Sequence, residues 1–289
     1  MSTVAVTGAR GFLGQWIASE LTAAGHTVVR LGRAADGSQA RLDDESGDAP
    51  LLEGVDAVVH LAARLVVGDN IALVDYLDAN VALTEALALD AISAGATRFV
   101  FASSRLVYPG SLGRPAVEAD AAPDNAYGLS KLFAEQTLRY HSDRSGLMGT
   151  SLRISQVFGR GDVDRGVLAA FARSARSGAP IRVSGHGVAV RDYVEASEVA
   201  RAVRLTLEHP SPGPVYNVGG GGHTIAELAG AAAAAFGRPA DAVVHAPTDH
   251  EDVSFWSLDS SLAAAELGWR PHRSIAEALR ARSDGAGHS

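Results

Sequence analysis

The strongest constraint on the fold lies at the start of the chain. There a short β-rich run, Thr3-Val4-Ala5-Val6-Thr7, enters Gly8-Ala9-Arg10-Gly11-Phe12-Leu13-Gly14 and then an apolar pattern at helical spacing, Leu13, Trp16, Ile17 and Leu21. The alternation continues through strand-like runs at 27–29, 55–61, 97–101 and 150–154, with helical patterns at 71–94 and 126–144. Strands that are almost continuously Val, Ile and Leu are buried on both faces, which is the habit of a parallel sheet covered by helices. The expected class is α/β.

Beyond residue 155 the rhythm changes, with shorter strands at 181–183 and 215–218 and Gly/Pro punctuation at 212–214 and 219–222. Residues 1–155 read as one domain and 156–289 as a smaller α/β lobe, with some chain crossing back to the first. Helical patterns fall at 196–207, 224–236 and 260–267. The Ala231 to Ala235 run is ordinary helix, because alanine has the best helix propensity. Residues 283–289 are expected to fray.

Composition removes several function classes. The chain has no cysteine, so a disulfide scaffold, a thiolate zinc site and a cysteine nucleophile are excluded, and a cytoplasmic location is expected. A formal net charge of -8 with no Lys/Arg-rich run gives no electrostatic reason to bind nucleic acid. No apolar stretch approaches the ~18 residues that would span a bilayer, and the first strand begins at Thr3, leaving no room for a signal peptide. The ten histidines form no His-x-x-x-His or His-Glu-x-x-His pattern, and His245 and His250 near Asp249 and Asp252 read as a polar loop, so no metal is assigned.

A Gly-x-x-Gly-x-x-Gly between a buried strand and a helix start lets the backbone approach a pyrophosphate, which the unpaired N–H groups and positive end of the helix then receive. A tight turn without ligand is the alternative. At the end of the second strand an acidic residue would select NAD through the ribose 2′-hydroxyl. Gly32 stands near that position, followed by Arg33, while Arg10 sits in the glycine turn. Two guanidiniums suit a 2′-phosphate, which favours NADP(H) with NAD(H) possible; the alternative is that either arginine is solvated surface.

Tyr127 and Lys131 are four apart at the start of a helix and share a face. The strand before them ends in Ser103-Ser104, and ligands bind at such strand ends in doubly wound sheets. A nearby ammonium would lower the phenol's pKa, making Tyr127 an acid/base, while a serine hydroxyl holds the reacting oxygen.

Taken together, Thr7 to Gly14, His60-Leu61-Ala62-Ala63, Ser103-Ser104, Tyr127-x-x-x-Lys131 and Arg191-Asp192-Tyr193 resemble the extended short-chain dehydrogenase/reductase family, in the NAD-dependent epimerase/dehydratase branch that acts on nucleotide sugars. The resemblance covers nearly the whole chain. It implies a Rossmann-type doubly wound parallel sheet with a C-terminal substrate lobe, and a homodimer. It also implies roles for residues. Tyr127 is the acid/base, Lys131 grips the nicotinamide ribose, and Ser104 is the carbonyl-binding hydroxyl with Ser103 its structural neighbour. Gly8, Gly11, Phe12, Leu13, Gly14, Leu61, Ala62, Ala63 and Ile154 line the dinucleotide, Asn80 lies near the nicotinamide side, and Leu42 and Asp43 frame the adenine. Gln156 stands where the branch usually has a diphosphate-binding Asn, and Arg191 matches a diphosphate-binding arginine; the alternative for Arg191 is a surface pair with Asp192 or Glu195.

Two departures narrow the activity. A second arginine of the branch, expected near Asp249 to Asp252, is absent. The Asp-Glu pair that dehydratases carry after the catalytic hydroxyl is replaced by Arg105 and Leu106, so dehydration lacks its acid and base. Arg105 either faces solvent or meets an anionic substrate group. The expected function is an NADPH-dependent keto-sugar reductase; the alternatives are an NAD-dependent nucleotide-sugar epimerase and, less well matched, a non-catalytic dinucleotide sensor.

Overall fold

The computed structural model describes residues 1–33, 39–42, 50–65, 72–162 and 165–284. In chain order the strands are β1 (Thr3–Thr7), β2 (Thr27–Arg33), β3 (Gln39–Arg41), β4 (Ala57–His60), β5 (Arg98–Ser104), β6 (Met148–Ile154), β7 (Gln156–Phe158), β8 (Ile181–Ser184), β9 (Val190–Glu195), β10 (Val215–Val218), β11 (Gly222–Thr224) and β12 (Val243–Ala246). The helices are α1 (Phe12–Ala23), α2 (Val74–Tyr76), α3 (Leu83–Ser93), α4 (Ala126–Ser142), α5 (Gly166–Ser177), α6 (Ala196–Glu208), α7 (Ile225–Ala235), α8 (Ser261–Glu266) and α9 (Ile275–Asp284).

One seven-stranded sheet, in the order β10-β6-β5-β4-β1-β2-β3, carries the fold. Its pairings are parallel except for β3, which runs antiparallel to β2 at the edge. Because β1 is flanked by β2 on one side and β4 on the other, the connections diverge at its C-terminal end. That divergence opens a crevice there, the usual binding place in doubly wound sheets.

Both faces of the sheet are buried. Val4 and Val6 of β1 join Ile17, Leu21, Leu152, Val199 and Trp269 in one core, while Ala5 between them joins Val58, Phe99, Phe101, Leu87 and Leu138 in the core on the opposite face. The two-residue period of a strand thus divides an unbroken apolar run between two layers. Each fully buried large apolar side chain contributes roughly 1.5–3 kcal/mol, and the buried polar side chains Thr7, His60, Ser103 and Arg153 of these strands are hydrogen-bonded.

A second group of elements packs α5, α7 and α9 against β8 and β9 around Leu168, Phe171, Ile181, Val183, Leu228, Ala232 and Leu279. Its strands form a three-stranded sheet, β11-β9-β7, and a two-stranded one, β12-β8. The chain crosses back twice. Val215–Val218 pairs in register with Ser151 to Ile154 at the edge of the large sheet. Helix α6 packs in the first core, its Arg204 bonded to Glu20 of α1 at 2.7 Å.

Local differences from the sequence expectations have physical causes. The helical pattern expected over 71–94 is interrupted: α2 passes through a π-helical stretch, Leu77–Ala82, into α3, and Ile71 lies outside the described residues. Asn80 lies buried in that stretch, with its carbonyl accepting from Thr84 Oγ1 at 2.6 Å and its side chain held elsewhere, as described below. The expected terminal fraying does not begin at Ser283, because α9 runs through Asp284.

Candidate active site

The glycine turn is shaped by close contact. Gly8 has φ +66°, a conformation that L side chains rarely adopt. A Cβ on Gly14 would stand 2.3 Å from the Gly8 carbonyl oxygen, so only glycine lets α1 start so near β1. Gly11 caps α1 without a side-chain hydrogen bond, and its first turn holds no acidic residue. The N–H groups of that turn therefore have no internal acceptor and open on a cleft lined by Gly8, Gly11, Phe12, Leu13 and Gly14. Uncapped donors at a helix start suit a pyrophosphate, so these residues fit a dinucleotide.

The same cleft, with about 390 Å³ of free space, takes in Leu61, Ala63, Ser103, Ser104, Tyr127, Lys131 and Ile154, together with Ala102, Ser155 and Val157. Strand ends β1, β4, β5 and β6 bring them together. Thr7 is the clasp. Its Oγ1 accepts from the N–H groups of Leu61 (3.0 Å) and Ala62 (3.1 Å) and meets His60 Nδ1 at 2.7 Å. His60 is wholly buried and stacked on Phe101; burial first, and the charge of Lys131 second, push it down to about 3, so it stays neutral.

Helix α4 presents Tyr127 and Lys131. Asn125 caps it, accepting from Gly128 N–H at 2.8 Å. A Cβ on Gly128 would lie 1.8 Å from the Leu106 carbonyl oxygen, so this glycine lets the helix start press against the segment just after β5, and Tyr127 and Ser104 line the same cleft. The two serines then differ. Ser103 donates to Glu135, whereas Ser104 Oγ accepts from Leu106 N–H at 3.2 Å, which leaves its own proton to give.

The expected effect of lysine on tyrosine is not what the structure shows. Tyr127 is pushed up to about 12, first by burial and then by Tyr76, whose ring meets it edge-on at 5.7 Å. Lys131 donates from Nζ to the Ala102 carbonyl at 2.9 Å and lies over the Phe101 ring; burial pulls it down to about 7, with Glu135 opposing. The phenol therefore keeps its proton at neutral pH.

The lysine has a consequence for stability. Its folded pKa lies below the ordinary 10.5, so the unfolded chain binds the extra proton between about pH 7 and 10.5, and this group makes stability rise with pH across that window. Below pH 7 the full cost of the buried charge is present. Lys131→Met is expected to gain most over wild type at pH 6 and to lose that advantage by pH 10 in melting temperatures of cofactor-free protein; a constant difference would refute it.

Behind the site lies a buried network the sequence reasoning missed. Arg153 of β6 donates from Nη2 to Glu135 Oε2 at 2.7 Å, from Nη1 to Tyr108 Oη at 3.0 Å and from Nη1 to the Glu118 carbonyl at 2.6 Å. Tyr108 donates to Asn217 of β10 at 2.5 Å. A charge inside the apolar run Leu152-Arg153-Ile154 was the available signal, since a buried charge requires a partner.

Asn80, Leu42, Arg10, Gln156, Arg191 and Arg105 are not among the residues that line the cleft. Asn80 accepts from Arg64 N–H at 2.8 Å and donates to Ser130 Oγ at 3.0 Å, fixing the segment after Ala63 rather than lining the site. Leu42 packs its side chain onto Gly32, where a Cβ would meet Leu42 Cδ2 at 2.9 Å. Arg10 is exposed, and Asp43 and the side chain of Arg33 lie outside the described residues. Gln156 is half-buried on β7 with its amide near Gly166. Arg191 pairs with Asp252 at 2.7 Å rather than with Asp192 or Glu195, and Asp192 instead accepts the N–H groups of Gly220 (2.8 Å) and Leu258 (2.9 Å). Arg105 lies over the Trp256 ring, 4.2 Å from its centre. Among the described residues no group of three His, Asp or Glu side chains could hold a metal, and no helix is long and apolar enough to cross a membrane.

Comparison with known proteins places this geometry. The model of the NAD dependent epimerase/dehydratase family matches residues 4–219, most of the chain. The chain belongs to that family. It is similar to a dTDP-6-deoxy-L-talose 4-dehydrogenase (NAD(P)(+)) from Kitasatospora kifunensis, 32% identical over 96% of this chain and 93% of the relative. Among solved structures it resembles the UDP-N-acetylglucosamine 4-epimerase from Bacillus cereus, with a TM-score of 0.85, 26% identity and coverage of 100% of this chain and 98% of that one. It also resembles MoeE5 in complex with UDP-glucuronic acid and NAD, with a TM-score of 0.79, 29% identity and 98% of both chains covered. The protein is an NAD(P)-dependent enzyme of the extended short-chain dehydrogenase/reductase type, on a Rossmann-type sheet.

Proposed function

We propose that this family member is an NADPH-dependent reductase of a keto group on a nucleotide-activated deoxysugar, working in the cytoplasm. Residues 1–155 hold the dinucleotide and 156–289 form most of the substrate lobe. The observation that carries the reading is the meeting of Ser104, Tyr127 and Lys131 with the uncapped α1 turn in one cleft. A bound nicotinamide supplies hydride there. Ser104, its Oγ already accepting from Leu106 N–H, donates a hydrogen bond to the keto oxygen and orients it, keeping its proton. Tyr127, held protonated by burial, gives the proton that completes the alcohol. Lys131 lies below the strand end, where it can bind a ribose hydroxyl once it leaves the Ala102 carbonyl. Leu13, Leu61, Ile154 and Val157 keep water from the reacting carbon.

A phenol that retains its proton favours the reductive direction, and exposed Arg10 beside the glycine turn favours a 2′-phosphate. Purified enzyme should consume NADPH with 4-keto nucleotide sugars; no loss of NADPH absorbance across such a panel would reject the proposal. Resemblance to a 4-epimerase along the whole chain supports a second reading, a nucleotide-sugar epimerase using the same three residues. NAD recovered from denatured enzyme, without net redox turnover, would favour it. We also propose a homodimer through α3 and α4, where Leu89, Phe133 and Tyr140 are exposed.

A further inference from the structure

Arg105 follows Ser104 directly, and its guanidinium is in an unusual position. The Nη1 is buried without a hydrogen-bond partner among the described residues. Its plane lies over Trp256, whose backbone N–H bonds the Val190 carbonyl at 3.1 Å, one residue before Arg191. A second guanidinium is thus its neighbour, and burial and then Arg191 pull the Arg105 pKa below its ordinary value. Asp192 and Tyr193 oppose that shift, but the Asp192 carboxylate accepts the N–H groups of Gly220 and Leu258 rather than Nη1, and Asp252 pairs with Arg191 and accepts from Ser254. The hollow that Arg105 lines, with about 20 Å³ of free space, has no acidic side chain in its lining.

A half-buried cation with an unpartnered donor beside a like charge is costly unless an anion completes it. The strand end offers a reason to keep it. A substrate whose reacting oxygen rests on Ser104 lies within one residue of Arg105, and the branch's second diphosphate arginine is missing from the acidic segment at 249–252. We propose that Arg105, stacked on Trp256 and set beside Arg191, seats an anionic oxygen group of the substrate, a phosphate or a sugar carboxylate. This rests on the nucleotide-sugar function proposed above and adds to it a clamp arginine supplied from the catalytic strand end. Cation–π contact with Trp256 holds the fork without using any of its donors.

Isothermal titration of the cofactor-loaded enzyme tests it, with UDP, dTDP, UDP-glucose, UDP-glucuronic acid and inorganic pyrophosphate as probes. Arg105→Met keeps the stem on Trp256 and removes the charge; it should weaken binding about 10- to 100-fold, the range expected for losing a charge-assisted pair. If the group is a phosphate, the UDP or dTDP probes fall together. If it is a carboxylate, UDP-glucuronic acid alone falls, and wild type prefers it to UDP-glucose. Arg105→Lys should restore most of the affinity, and Arg105→Gln replaces the methionine variant if that does not fold. A folded variant that binds every probe like wild type overturns the seat. Wild type that binds no nucleotide at all rejects the proposed function instead. The seat is then judged on pyrophosphate, supported if R105M weakens its binding and overturned if it does not bind or is unaffected.

Discussion

Tyr127→Phe is expected to lower turnover about 10²- to 10⁴-fold while leaving cofactor affinity within a few-fold of wild type. The ring is 9% exposed and packs edge-on against Tyr76, contacts that phenylalanine keeps, so the change removes one hydroxyl and little else. The two serine hydroxyls at the end of β5 in the same cleft are differently occupied. Ser103 is committed to Glu135, and under the proposed function Ser104 holds the substrate oxygen. Single-turnover reduction with prebound NADPH checks the rate, and fluorescence titration checks cofactor binding. Activity within a few-fold of wild type would exclude Tyr127 as the proton donor and, with it, both catalytic readings.

Glu135→Ala should be the most damaging single change for stability. Glu135 and Arg153 are each about 5% exposed at the side chain and meet in a bidentate pair, and the same carboxylate accepts from Ser103. Removing one partner of a buried pair leaves the other charge uncompensated, at a cost of about 3–5 kcal/mol. For a chain of this size that corresponds to a fall of roughly 5–8 °C in melting temperature. Glu135→Gln keeps two polar atoms in place and should cost less. The alanine variant should also move the ionisation of Lys131 to lower pH, because Glu135 is what opposes the effect of burial there. Calorimetry measures the first effect, and the pH dependence of cofactor binding the second. A variant that melts within 2 °C of wild type would show the network to be dispensable.

The two residues of the first expectation were visible from spacing alone. Tyr127 and Lys131 lie four apart on one helix, and helical geometry puts such a pair on one face whatever surrounds it. The glycine turn was visible for a similar reason, since Gly8 to Gly14 follows a strand and opens a helix within seven residues. Glu135 stands at the same four-residue spacing beyond Lys131, yet its importance depends on Arg153 and Ser103, which come from two neighbouring strands.

Other outcomes could not be reached by spacing. Which serine has a proton to give depends on Glu135 taking one and Leu106 N–H occupying the other's lone pair. Tyr127 is pushed up rather than down because burial, and then Tyr76, set its shift, and burial is a property of the packed site. Gly128 carried no sequence signal, although a Cβ there would collide with Leu106. Asn217 was an ordinary strand residue until β10 returned to the large sheet and placed it under Tyr108.

The sequence by itself determined the alternation of buried strands and helices, the phosphate-receiving turn and the Tyr127–Lys131 pair, because each depends on backbone conformation and periodicity over a few residues. Tertiary structure alone decided the return of β10 to the large sheet, the division of labour between Ser103 and Ser104, the Glu135–Arg153 network and the stacking of Arg105 on Trp256. Those depend on contacts between segments as many as 151 positions apart, where burial, countercharge and close approach are set by the whole packing and leave no local periodicity to read.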